Sequence, residues 1–223
     1  MAKNRSSSRF ITGIAVGAGL ALYHVVMRPW QLDWGATQAE TQRDYPGDEL
    51  IPRAVYETTR AITIRASAAK IWPWLVQMGY GRGGFYSYDW LETVGGLDIT
   101  SADRILSEFQ DLALGDIVSI APDTPLTVTV LEPDRALVLH NVMNPFSAQI
   151  VHANDPEPSP YIGWTWAFLL EELDTASSRL VVRVRADYQP RWLAPLAYGL
   201  LEPVHFIMER KMLLGIKERA ERI

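Results

Sequence analysis

The sequence predicts an α+β domain with a curved antiparallel sheet wrapped around a long C-terminal helix, preceded by one transmembrane helix. Three observations predict it. About five apolar, alternating segments follow one another between residues 117 and 188 with short links, which makes an antiparallel sheet. A single long amphipathic stretch from Pro203 to about Arg222 is the only element long enough to cover the dry face of that sheet. Phe10 to Met27 is an uncharged apolar run just long enough to cross a hydrocarbon core.

The totals narrow the class. A chain of 223 residues suits one sizeable domain. The 48% hydrophobic content excludes general disorder, and eight tryptophans supply rigid apolar surface for a large core or a lined cavity. The formal charge is −5, but residues 1–28 carry Lys3, Arg5, Arg9 and Arg28 and no acid, so the remainder stands at −9. An acidic domain is a poor partner for nucleic acid, whose binding runs on phosphate neutralisation. With no cysteine, disulfides, thiolate nucleophiles and cysteine-based metal sites are ruled out.

The chain divides into a basic tail (1–9), a membrane anchor (10–28), a connector (29–54) and a folded domain (55–223). Trp30 and Trp34 follow the apolar run where interfacial aromatics belong. No small-residue cleavage pattern follows it, so a retained single-pass anchor is expected rather than a signal peptide. Gly13 and Gly17 form a GxxxG pair, which would let two anchor helices pack as a homodimer. The basic residues before the span place the N-terminus in the cytoplasm and the domain outside it.

In the connector, Tyr45-Pro46-Gly47-Asp48 is a turn, and the segment is expected to pack on the domain. Thr58–Arg65 alternates as a strand, and Ser67 caps a helix over Ala68–Met78 with Pro73 inside it. A glycine-rich aromatic loop, Gly79–Glu92, runs into a short helix, and another helix is expected over Ala102–Phe109. The strands are then Ile117–Ala121, Leu126–Leu131, Ala136–Val142, Ile162–Leu170 and Leu180–Tyr188. In the last of these Leu180, Val182, Val184, Ala186 and Tyr188 share one face. Arg183, Arg185 and Asp187 mark the other as a wet face. Asn144–Pro160 reads as a long loop. In the C-terminal helix Val204, Ile207, Met208, Met212 and Ile216 form the apolar face, and residues 192–201 are a buried turn or a segment resting on a membrane.

Ser67-Ala68-Ala69-Lys70-Ile71-Trp72-Pro73-Trp74-Leu75 after the first strand, followed by Gly115-Asp116 and Leu131-Glu132-Pro133, resembles the START-like superfamily of polyketide cyclases and lipid-transfer proteins (SRPBCC) over about residues 55–222. The run from Gln77 to Glu92 is similar to a bacterial branch of that group. The resemblance implies a helix-grip fold with an interior cavity for lipids, sterols, polyketides or other apolar molecules. Only some members are enzymes. The anchor and the long aromatic insert depart from the usual pattern and leave the ligand open.

The densest candidate site is the insert. Arg82, Phe85, Tyr86, Tyr88, Asp89 and Trp90 would stand at the cavity mouth, with Asp89 or Glu92 pairing Arg82. The alternative is a packed loop in which the aromatics fill core. Trp164 and Trp166 share a strand face with Phe168 and line either a cavity or a solid core. His205 and Met208 face the same space from the last helix. His140 and His152 lack converging partners, so no metal and no cofactor is expected. Three functions stay open. The preferred one is a non-catalytic membrane-anchored module that binds, transfers or senses a small apolar molecule or lipid. The others are a cyclase or dehydratase using Arg82, Tyr86, Asp89 and His205, and an interaction domain with a filled core.

Overall fold

The computed structural model describes residues 18, 19, 21–147, 149–151 and 160–222, with the backbone alone over 193–200. About half of the expected anchor, with Gly13 and Gly17, and His152 lie outside the described residues. Among those described, no helix is long and apolar enough to cross a membrane.

The helices are α1 (Arg28–Leu32), α2 (Gln38–Gln42), α3 (Ala68–Val76), α4 (Asp89–Val94) and α5 (Leu193–Ala220). The strands are β1 (Tyr56–Ile64), β2 (Ile117–Ala121), β3 (Thr124–Glu132), β4 (Ala136–Met143), β5 (Tyr161–Asp174) and β6 (Ser177–Gln189). They form one antiparallel sheet in the order β1-β6-β5-β4-β3-β2. This is an α+β fold compatible with a helix grip. Ala102–Phe109, expected as a helix, makes only a single helical turn at Ser107–Phe109. The Gln77 amide explains the substitute: its Nε2 donates to Arg104 O and its Oε1 accepts from Leu106 N, pinning the segment in an open course.

Period-two alternation sends Leu126, Leu137, Leu139, Phe168, Leu180 and Val182 to one face. There they meet Met212, Leu213, Ile216 and Ala220 of α5 and Ile71, Trp74 and Leu75 of α3. The apolar face of α5 is therefore rotated from the expected one, for Val204 and Ile207 are exposed. The helix also begins ten residues earlier than Pro203, which lies inside it, so residues 193–201 are helical rather than a turn.

The opposite face is not wet. Ala61, Ala136, Val138, Ala167, Leu169 and Val181 are buried beneath the connector, with Tyr45. Gly47 lies so close to β4 that a Cβ would come within 2.6 Å of Val138 Cγ1, and its φ of 93° favours glycine. The arginines expected in solvent are ion-paired with connector and β1 acids. Arg183 contacts Asp48 at 3.0 Å and stacks over Tyr45, and Arg185 contacts Glu57 at 2.9 Å. Arg179, not singled out from the sequence, contacts Glu40 at 2.7 Å. Glu40 is set by a capping box with Thr37. Strand alternation thus placed these arginines on the correct face but said nothing of the layer that covers it.

Candidate functional site

The C-terminal half of α5 closes on the sheet, while its residues from Leu201 to Met212 border a cavity of about 530 Å³. Trp164 and Trp166 of β5 and Val184, Ala186 and Tyr188 of β6 form the sheet wall. Leu201, His205, Met208 and Met212 form the helix wall. Phe85, Ser87, Glu92, Leu97 and Ile99 close it from the insert. That volume suits a small organic ligand.

A polar cluster stands against this apolar space. Arg60 of β1 and Glu209 of α5 form an ion pair with side chains 0% and 1% exposed. Glu209 Oε1 also accepts from Trp166 Nε1 at 3.1 Å, which fixes the indole in the wall. His205 Nδ1 lies 3.4 Å from Arg60 Nη1. A guanidinium only donates, so Nδ1 holds the lone pair and Nε2 carries the proton of a neutral imidazole. Burial pushes the His205 pKa down, and Arg60 adds to this while Glu209 opposes it. The His205 side chain lines the cavity and keeps 36% of its surface accessible. Arg28 Nη2 donates to Glu202 Oε2 at 3.0 Å, and Trp30 packs on Phe206 with ring centroids 5.2 Å apart, so α1 is fastened to the cavity end of α5.

Glu92 is the second polar feature. It is 7% exposed, lines the cavity, and its Oε2 has no hydrogen-bond partner. Burial, reinforced by the charge of Asp89, pushes its carboxyl up to about 7. The folded state then holds a proton that the unfolded chain releases near 4.5. Stability from this group is greatest at low pH and falls as pH rises from about 4.5 to about 7, by up to roughly 3 kcal/mol. Urea unfolding of the parent and Glu92→Gln should differ in slope across that window, the variant being flatter. Parallel curves would mean that Glu92 ionises normally.

Phe85, Trp164, Trp166, His205 and Met208 line the cavity. Arg82, Tyr86, Tyr88, Asp89 and Trp90 do not. Arg82 donates to Val76 O and Phe109 O and stacks on Phe109, rather than pairing with Asp89 or Glu92. Asp89 accepts from Ser101 N and Oγ, at 2.9 and 2.6 Å. Tyr86 is core: its hydroxyl donates to Trp74 O and its ring meets the Trp74 edge. Tyr88 and Trp90 pack on each other, with Trp90 65% exposed. Of the four residues named for acid–base catalysis, only His205 reaches the cavity. Tyr56, Glu92, Glu202, Glu209 and Tyr188 were missed as wall residues. One signal was available: Glu202, His205 and Glu209 are spaced i, i+3, i+7 and share a helix face. His140 Nδ1 lies 3.0 Å from Trp164 O, a structural contact.

No protein-family model and no curated protein matches the chain. Among solved structures, a protein of Mesorhizobium loti is 14% identical, with 75% of this chain and 98% of that one aligned at a TM-score of 0.39. CalU16 from Micromonospora echinospora is 14% identical, with 74% and 84% aligned at 0.34. A hypothetical protein of Helicobacter pylori is 12% identical, with 79% and 95% aligned at 0.45.

Proposed function

We propose that this chain is a START-like helix-grip domain that binds a small apolar molecule or lipid in the cavity beneath α5. The carrying observation is the cavity itself, about 530 Å³ of space walled by Trp164, Trp166, Phe85 and Met208 where a filled-core domain would pack solidly. In this reading residues 10–28 hold the domain at a membrane, on the extracytoplasmic side, and the Gly13/Gly17 pair allows dimerisation. Anchoring would keep an apolar ligand at high local concentration. The polar groups position a ligand and no reaction is required of them.

The test is extraction of the full chain, purified in mild detergent, followed by mass spectrometry for a copurifying apolar molecule. Ala186→Trp combined with Met208→Trp fills the cavity, and the copurifying species should fall at least about tenfold, a loss of about 1.4 kcal/mol. A parent that carries nothing and binds nothing offered would overturn the reading.

A further inference from the structure

We infer that the cavity selects an uncharged ligand, an apolar molecule bearing a hydroxyl or carbonyl oxygen, and rejects fatty acids and other anions. This deepens the proposed apolar-ligand reading and rests on it. Three acidic residues, Glu92, Glu202 and Glu209, line the cavity, and among the described residues no lysine or arginine lines it. The guanidinium groups nearest these acids are already engaged, Arg60 by Glu209 and Arg28 by Glu202. A carboxylate or phosphate entering this space would be desolvated without a free counter-charge, and the unpaired Glu92 repels it once ionised.

The hydrogen-bonding groups fit a neutral oxygen instead. His205 presents Nε2–H, with Glu209 Oε1 only at 3.5 Å, too far for a full hydrogen bond. Arg60 holds the proton on that nitrogen by occupying the approach to Nδ1. Glu92 Oε2 is buried within the wall, out of a ligand's reach and without a partner, so this carboxyl offers nothing that would hold an anion. An alcohol or a ketone can accept from His205. Neither brings a charge.

The experiment compares terminally brominated undecanol with the matching undecanoate. The full chain is held in amphipol, and free ligand is fixed by dialysis against a common reservoir. Bromine quenches tryptophans it touches, and Trp164 and Trp166 face the cavity. At a pH above neutrality the alcohol should half-saturate the quenching at a concentration at least about tenfold below the acid. The gap should close as the pH falls through the carboxylate range and the ligand becomes neutral. Glu92→Gln should improve acid binding and narrow the ratio, and Trp164→Phe with Trp166→Phe should remove the saturable quenching. Equal affinity, or tighter binding of the anion, overturns charge selection while leaving the apolar-ligand reading standing. Saturable quenching by neither compound overturns both.

Discussion

Glu209→Leu is expected to destabilise the fold by about 3–5 kcal/mol, because it leaves the Arg60 guanidinium buried without its counter-charge. Arg60 sits within β1, in register with Val182 of β6, and projects toward α5. Its Nε donates to Gln31 O at 2.8 Å and its ring neighbour is Phe206, and neither supplies a charge. Water cannot rescue it, since its side chain is fully buried. For a chain of this size the thermal midpoint should fall by about 6–20 °C. The double variant Arg60→Met/Glu209→Leu removes both charges and should recover most or all of the loss, because desolvating a pair costs nearly as much as the attraction returns. Thermal and urea unfolding of the three variants measures this as a cycle. A single variant costing under about 1 kcal/mol would show that Arg60 reaches solvent, and the polar end of the cavity would need redrawing. The same substitution frees the Trp166 indole from its acceptor and removes one neighbour of His205, so the cavity wall should loosen with it.

The buried pair also shows what a sequence can and cannot reveal. The six strands were legible because alternation is local: each strand's two faces follow from period two alone. The α+β class and the C-terminal helix were legible for the same reason. What covers each face is a long-range fact. Arg183 and Arg185 resemble solvated residues until Asp48 and Glu57, both more than 120 positions away in the chain, are laid beside them. Glu209 looks like one more surface acid of an amphipathic helix until Arg60 arrives on a strand. Opposite charge at short separation suggested that Arg82 and Asp89 pair. Both instead satisfy backbone groups: Arg82 caps the carbonyls of Val76 and Phe109, and Asp89 receives Ser101 N. Pro203 resembled a helix start because proline suits a first turn, yet α5 runs through it. The apolar half of the site was accessible to pattern reading through Trp164, Trp166 and Met208. The polar half depends on pairings across the fold, and so needed coordinates.

The insert that closes the cavity is seated by a backbone contact, and Gly215→Ala should disturb it at a cost of about 3 kcal/mol. A Cβ at Gly215 of α5 would stand 2.2 Å from Tyr86 O, 2.9 Å from Tyr86 Cβ and 3.1 Å from Tyr86 C. No flexible side-chain tip is available to swing aside, so either the helix or the loop must move. The loop resists. Tyr86 holds φ at 58°, a conformation disfavoured for a tyrosine, which persists only where its surroundings fix it. Its N–H donates to Ser101 Oγ at 2.9 Å, its hydroxyl donates to Trp74 O at 3.0 Å, and Arg219 lies over its ring. The helix resists as well, because Met212, Leu213 and Ile216 on either side of Gly215 are buried against the sheet. Alanine would gain about 1 kcal/mol of helix propensity over glycine, which the clash exceeds. The thermal midpoint should therefore drop by about 6–12 °C. Phe85 adjoins Tyr86 and lines the cavity, so displacement of the loop should also weaken quenching of the wall tryptophans by brominated undecanol. If Gly215→Ala instead melts within about 2 °C of the parent and binds normally, α5 and the insert do not meet at Tyr86, and the insert closes the cavity by some other contact.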